Sequence, residues 1–265
     1  MHRTLLILTG SFAYFALAAF GLIAFHAGLL VTALALFGIP ALVLARFSAA
    51  PAAVVISVMV FGAGIAVLLE GAAHIYGIWY TLGVDELRLF GLIPLEVIAT
   101  SMIETLFLVL VYELFFDDGE YTETPQQSRF AAFLGFAVLV STLIALHVYV
   151  IHGILFTHSY LWLIGILAFS TLGTLAMQRS LTLAFFKRLG MFTLITAFPL
   201  SISMIIAVVN TQRIFAFASD YVYSISINGA LLPVEEIVLT LLLPMFVATF
   251  YEIYLDDGKL RSDRS

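Results

Sequence analysis

Eight stretches of this 265-residue chain stay apolar for about 20 residues, the length a helix needs to cross a hydrocarbon layer. They cover residues 4–25, 28–46, 52–74, 92–115, 129–151, 158–178, 189–211 and 232–254. Hydrophobic residues make up 63% of the chain and charged residues 11%, with a mean hydropathy of +1.12. A soluble domain of that balance could not keep its surface wet. The expected fold is therefore an all-α membrane protein of about eight transmembrane helices. The first stretch is too long to be the apolar core of a cleaved signal, and it reads as an anchor. The net charge of −6 and pI near 5.4 argue against nucleic acid as a partner. With no cysteine, disulfides, thiolate nucleophiles and Cys-bound metal are excluded.

One motif occurs twice. Pro94-Leu95-Glu96 opens an apolar run that ends in Tyr112-Glu113 and Asp117-Asp118-Gly119. Pro233-Val234-Glu235-Glu236 opens another that ends in Tyr251-Glu252 and Asp256-Asp257-Gly258, each shared position 139 residues later. The chain then divides into a first repeat over 1–119, an acidic polar linker over 120–128, a second repeat over 129–258 and a tail over 259–265. Each repeat carries four spans, so the two are expected to be parallel repeats about an axis along the membrane normal. With eight spans, nine of the eleven Lys and Arg residues fall on the side of the termini and only Arg88 and Arg213 on the other. The positive-inside rule then puts both termini in the cytoplasm.

Buried carboxyls are the candidate chemistry. A charge in a bilayer costs several kcal/mol, so intramembrane acids face the protein interior, pair, or stay protonated. Glu96, Glu235 and Glu236 follow a proline and so sit in a first helical turn, where an acid also complements the helix dipole. Related by the repeat, they are expected to converge on one pocket as the catalytic set. Supporting candidates are Glu70 with His74 four residues on, then Trp79, Glu104, and the terminal pairs Tyr112-Glu113 and Tyr251-Glu252. The Asp-Asp-Gly turns read as solvated helix ends, and neither continues as Asp-x-x-Asp. His147, His152 and His158 lack metal-ligand spacing, and no metal is expected. No lysine lies within a span, which excludes a retinal Schiff base, and there is no phosphate-binding Gly-rich loop.

The doubled Pro-x-Glu(-Glu) start and Tyr-Glu end resemble the integral-membrane lycopene cyclase family. Pro94, Leu95, Glu96, Tyr112 and Glu113 carry the likeness, then Pro233, Val234, Glu235, Glu236, Tyr251 and Glu252, with Trp79-Tyr80 and Tyr221–Tyr223 upstream. Val97 stands where a second glutamate would complete the first copy. The resemblance implies a cofactor-free isomerase of carotenoid biosynthesis that acts on a lipophilic, lycopene-like polyene in the bilayer. Carotenoid-pathway enzymes or a second copy of the chain are its implied partners. In that chemistry an acid protonates the ψ end, a neighbouring double bond closes the ring, and a base removes a proton. Glu235 or Glu236 would deliver the proton, with Glu96 as cation stabiliser or base, or the reverse. Two other readings stay open: a proton-coupled carrier, and a non-catalytic carotenoid-binding subunit.

Overall fold

The computed structural model describes residues 2–48, 50–84, 86–117, 159–177, 182–215, 221–227 and 229–255. Among the described residues seven helices carry the fold: α1 His2–Ala24, α2 Leu29–Phe47, α3 Pro51–Tyr76, α4 Leu95–Phe115, α5 Ser159–Met177, α6 Leu183–Val209 and α7 Val234–Leu255. Among the described residues, α2, α3, α4, α6 and α7 are long and apolar enough to cross a membrane. The stretch 129–151, the linker, the tail and both Asp-Asp-Gly glycines lie outside the described residues. Helix α6 starts earlier than the apolar pattern suggested, because the Thr182 hydroxyl accepts from the Phe185 N–H at 3.2 Å and caps it there. Lys187 and Arg188 thus fall inside its first turns, Lys187 exposed and Arg188 half-buried.

Helix α4 is the hub, packed against α2, α3 and α7. From Phe107 to Glu113 every residue is buried, which leaves no polar face and marks a helix enclosed on all sides. The last turns of α7 are enclosed in the same way, from Phe246 to Tyr254. Phe61 of α3 meets Phe246 and Phe250 of α7 edge-on or tilted, with ring centroids 5.8 and 6.0 Å apart. Among the described residues three π-helical turns interrupt the helices, over Leu34–Gly38 in α2, Val58–Ala63 in α3 and Tyr251–Leu255 at the end of α7. The first precedes Pro40, whose missing N–H breaks the regular ladder. The second holds Gly62, where a Cβ would lie 2.8 Å from the Met102 Cα. Only glycine lets α3 and α4 approach this closely.

Short strands were not expected of an all-α chain, and they gather at one end of the bundle. β2 (Arg88–Leu89) pairs with β3 (Ile93–Pro94), and β5 (Ser224–Ile227) with β6 (Ala230–Pro233), both antiparallel. Each ribbon ends in the motif proline, which lacks the N–H that a longer ladder would use and caps the next helix in extended conformation. The N–H after each proline then bonds back, Leu95 to the Leu87 carbonyl at 3.0 Å and Val234 to that of Tyr223 at 2.9 Å. Glu96, Glu235 and Glu236 accordingly occupy first turns, as the prolines implied.

The third ribbon joins the ends of α3 and α6. Gly77, at φ 65°, stops α3, and the Ile78 N–H returns to the Ala73 carbonyl at 2.9 Å. Thr211, at φ 56°, stops α6 in the same way, with the Gln212 N–H on the Ala207 carbonyl at 2.8 Å. A β-branched residue in that region is strained, and the surrounding bonds hold it there. Just beyond the two turns, β1 (Tyr80–Thr81) pairs with β4 (Arg213–Ile214).

Candidate active site

The reversal at Gly77 folds Trp79 and Thr81 back onto the helix they leave. The Glu70 carboxyl receives both, with Oε2 accepting from the Trp79 indole at 2.8 Å and Oε1 from the Thr81 hydroxyl at 2.7 Å. The β1–β4 ribbon brings Arg213 to the same place. Its guanidinium lies over the Trp79 ring, 5.0 Å from the centroid, and Nη1 donates to Glu236 Oε1 at 2.6 Å. The Tyr160 hydroxyl of α5 donates to the other oxygen of Glu236, and its ring packs 5.2 Å from that of Trp79. Burial acts to lower the Arg213 pKa, but the Glu236 and then the Glu70 carboxylates outweigh it and hold the guanidinium above its ordinary value.

Glu104 completes the set from α4. Its hydrogen bond among the described residues is a long one, from the Ser203 hydroxyl at 3.4 Å. Glu70, Glu104, Arg213 and Glu236 all line one cavity of about 120 Å³ between α3, α4, α6 and α7. Trp79, Leu200, Met204 and Leu239 form much of its apolar wall, and Val97 reaches it from the position where the first motif lacks a second glutamate. Three carboxyls thus face one guanidinium. A buried excess of negative charge is costly unless something balances it.

The structure separates the expected catalytic glutamates. Of the three, only Glu236 lines the cavity. Glu96 is half-buried and accepts from the Leu30 N–H at 3.0 Å, where α2 begins. Glu235 is buried and accepts from the Val222 N–H at 2.6 Å, bracing β5. Each accepts from a backbone donor, and the second oxygen of Glu235 is buried without a partner among the described residues. Glu70 and Trp79 line the cavity, but His74 is exposed and meets Tyr80 edge-on, so the Glu70–His74 pairing is not made.

The terminal pairs form a second cluster at the other end of α4, about 25 Å from Glu96 at 1.5 Å per residue. There Glu113 accepts from the Ser48 hydroxyl at 2.8 Å and the Ala50 N–H at 3.0 Å, at the start of α3. Tyr112 and Tyr251 meet edge-on, with Glu252, Asp117 and Arg188 beside Tyr112. None of these residues lines the cavity.

Arg213, Tyr160 and Ser203 are site residues that sequence reasoning passed over. Arg213 had left a signal, as one of only two cations at the motif end. Tyr160 and Ser203 had left none, because nothing in the chain pairs them with an acid 76 or 99 residues away. Comparison with known proteins finds no matching family model, no matching curated protein and no matching solved structure.

Proposed function

We propose that the protein is a membrane-embedded carotenoid cyclase, closing the ψ end of a lycopene-like polyene by acid catalysis. The observation that carries this reading is the cavity's three carboxyls set against one guanidinium within apolar walls. Among the described residues Arg213 pairs directly with Glu236 and acts on Glu104 only from beyond ion-pair distance, and Glu104 is the proton donor. Its O–H protonates the terminal double bond, the next double bond attacks the resulting tertiary cation, and a new C–C bond closes the ring. Glu236, oriented by Arg213 and Tyr160, removes the ring-adjacent proton. The product is an isomer, so no electrons enter or leave. Glu70, fixed by Trp79 and Thr81, adds negative charge opposite the developing cation. The cavity takes a chain end rather than a whole long polyene, whose remainder stays in the lipid.

The architecture that goes with this reading has eight spans in two parallel four-helix repeats, with both termini cytoplasmic. Its support is the hairpin–proline–glutamate start built twice, the matching left-handed stops of α3 and α6, and the uneven division of Lys and Arg. The same surplus of carboxyls would suit a proton-coupled carrier, the second reading.

The test is expression in a lycopene-accumulating bacterial host with chromatography of the pigments. A cyclised product is expected, lost in Glu104→Gln and Glu236→Gln while both variants still insert. Untouched lycopene alongside solute uptake into vesicles under a proton gradient would favour the carrier.

A further inference from the structure

We propose that the cavity holds water on a fixed polar frame, and that this water captures part of the cation, making the protein also a polyene hydratase. The inference rests on the acid chemistry proposed above and goes beyond it in naming a second product, a tertiary alcohol.

The decisive residue is Thr100. It lines the cavity, it is 6% exposed, and its Oγ1 has no hydrogen-bond partner among the described residues. A buried hydroxyl left without a partner is costly, and an ordered water is the usual remedy. Nearby donors and acceptors are plentiful. Arg213 makes one hydrogen bond among the described residues, to Glu236, out of the five N–H groups it carries. Glu104 and Ser203 share one long bond at 3.4 Å. The 120 Å³ cavity is well above the roughly 10–15 Å³ that one water needs, so it has room for water beside a chain end.

A site that handles cations without losing them to water normally surrounds them with apolar side chains. Here the ring of charged and hydroxyl groups keeps water beside the reacting end. The step balances without a co-reactant other than water. Glu104 gives its proton to the less substituted alkene carbon, forming a C–H bond. The oxygen of a cavity water bonds to the tertiary carbon, and that water passes a proton to the Glu236 carboxylate. The remaining waters return a proton to Glu104. Alkene and water become a tertiary alcohol, with no change of oxidation state overall.

The experiment uses membranes containing the full chain, supplied with lycopene in ordinary or heavy-oxygen water and read by liquid chromatography with mass spectrometry. The expected products are the ring isomer and an alcohol one water heavier, which carries the label only in heavy-oxygen water. In Thr100→Val the alcohol-to-ring ratio should fall about fivefold, the typical effect of one lost hydrogen bond, while Thr100→Ser retains it. Ring product without alcohol would overturn the hydratase inference and leave cyclisation standing. Alcohol at an unchanged ratio in Thr100→Val would overturn the cavity-water assignment. Lycopene untouched by well-inserted protein would overturn the acid chemistry and the inference together.

Discussion

Replacing Arg213 with methionine removes the one cation that lines the cavity among the described residues and leaves three carboxyls behind. At the observed 2.6 Å, the Arg213–Glu236 attraction is about 6 kcal/mol for an effective dielectric near 20. Part of that is offset by the desolvation of both groups, and breaking one side of a buried pair typically costs about 3–5 kcal/mol. The Arg213 side chain is 24% exposed against 5% for Glu236, so residual hydration places the loss near the lower figure, about 3 kcal/mol. That corresponds to a fall of roughly 6–12 °C in melting temperature, measured on purified protein in detergent. The decisive comparison is Arg213→Met combined with Glu236→Gln. The double variant leaves no orphaned charge from the pair and keeps an acceptor for the Tyr160 hydroxyl, so it should regain most of the loss. If it melts at or below Arg213→Met alone, the pair does not stabilise the site in the way argued, and Arg213 is held by other forces.

Glu113→Ala should cost about 1–2 kcal/mol in the same melting assay, because the Ser48 hydroxyl and the Ala50 N–H lose their shared acceptor at the start of α3; Glu113→Gln should lose less. Gly62→Ala should cost about 1–3 kcal/mol, since the new methyl group meets backbone at Met102 rather than a side chain that could swing aside. A melting temperature equal to that of the parent would count against the close α3–α4 approach. The chain has no cysteine, so single replacements at the exposed Glu86 and Lys187 can be labelled without background. A membrane-impermeant maleimide on intact cells should reach Glu86→Cys and not Lys187→Cys, and equal labelling of both would contradict the proposed orientation.

The helical positions were largely legible in the sequence, because 20-residue apolar runs have few alternatives in lipid. The short ribbons were not, since two to four residues leave no period to detect. Glu70, Trp79, Glu104 and Glu236 could be named from the chain as acids or aromatics in apolar surroundings. Their grouping could not, because it depends on the reversals at Gly77 and Thr211 and on the ribbon they feed. Glu96 and Glu235 show the limit most clearly. The doubled motif was real as a local structure, a hairpin, a proline and a first-turn acid, yet the acid's partner in each case is a backbone N–H from another part of the chain. A sequence repeat identifies which positions are built alike, but not which side of the helix the cavity lies on. The second glutamate of the second copy, which the first copy lacks, is the one that reaches it.

Helix α4 grips two neighbours at opposite ends: Glu96 clasps the beginning of α2 and Glu113 the beginning of α3. Those two starting points are held near opposite ends of α4, so a single rod is riveted to both. A thinner or thicker bilayer therefore cannot slide α2 past α3. In a bilayer, a mismatch in thickness would then fall on the trio as one body rather than on each helix alone.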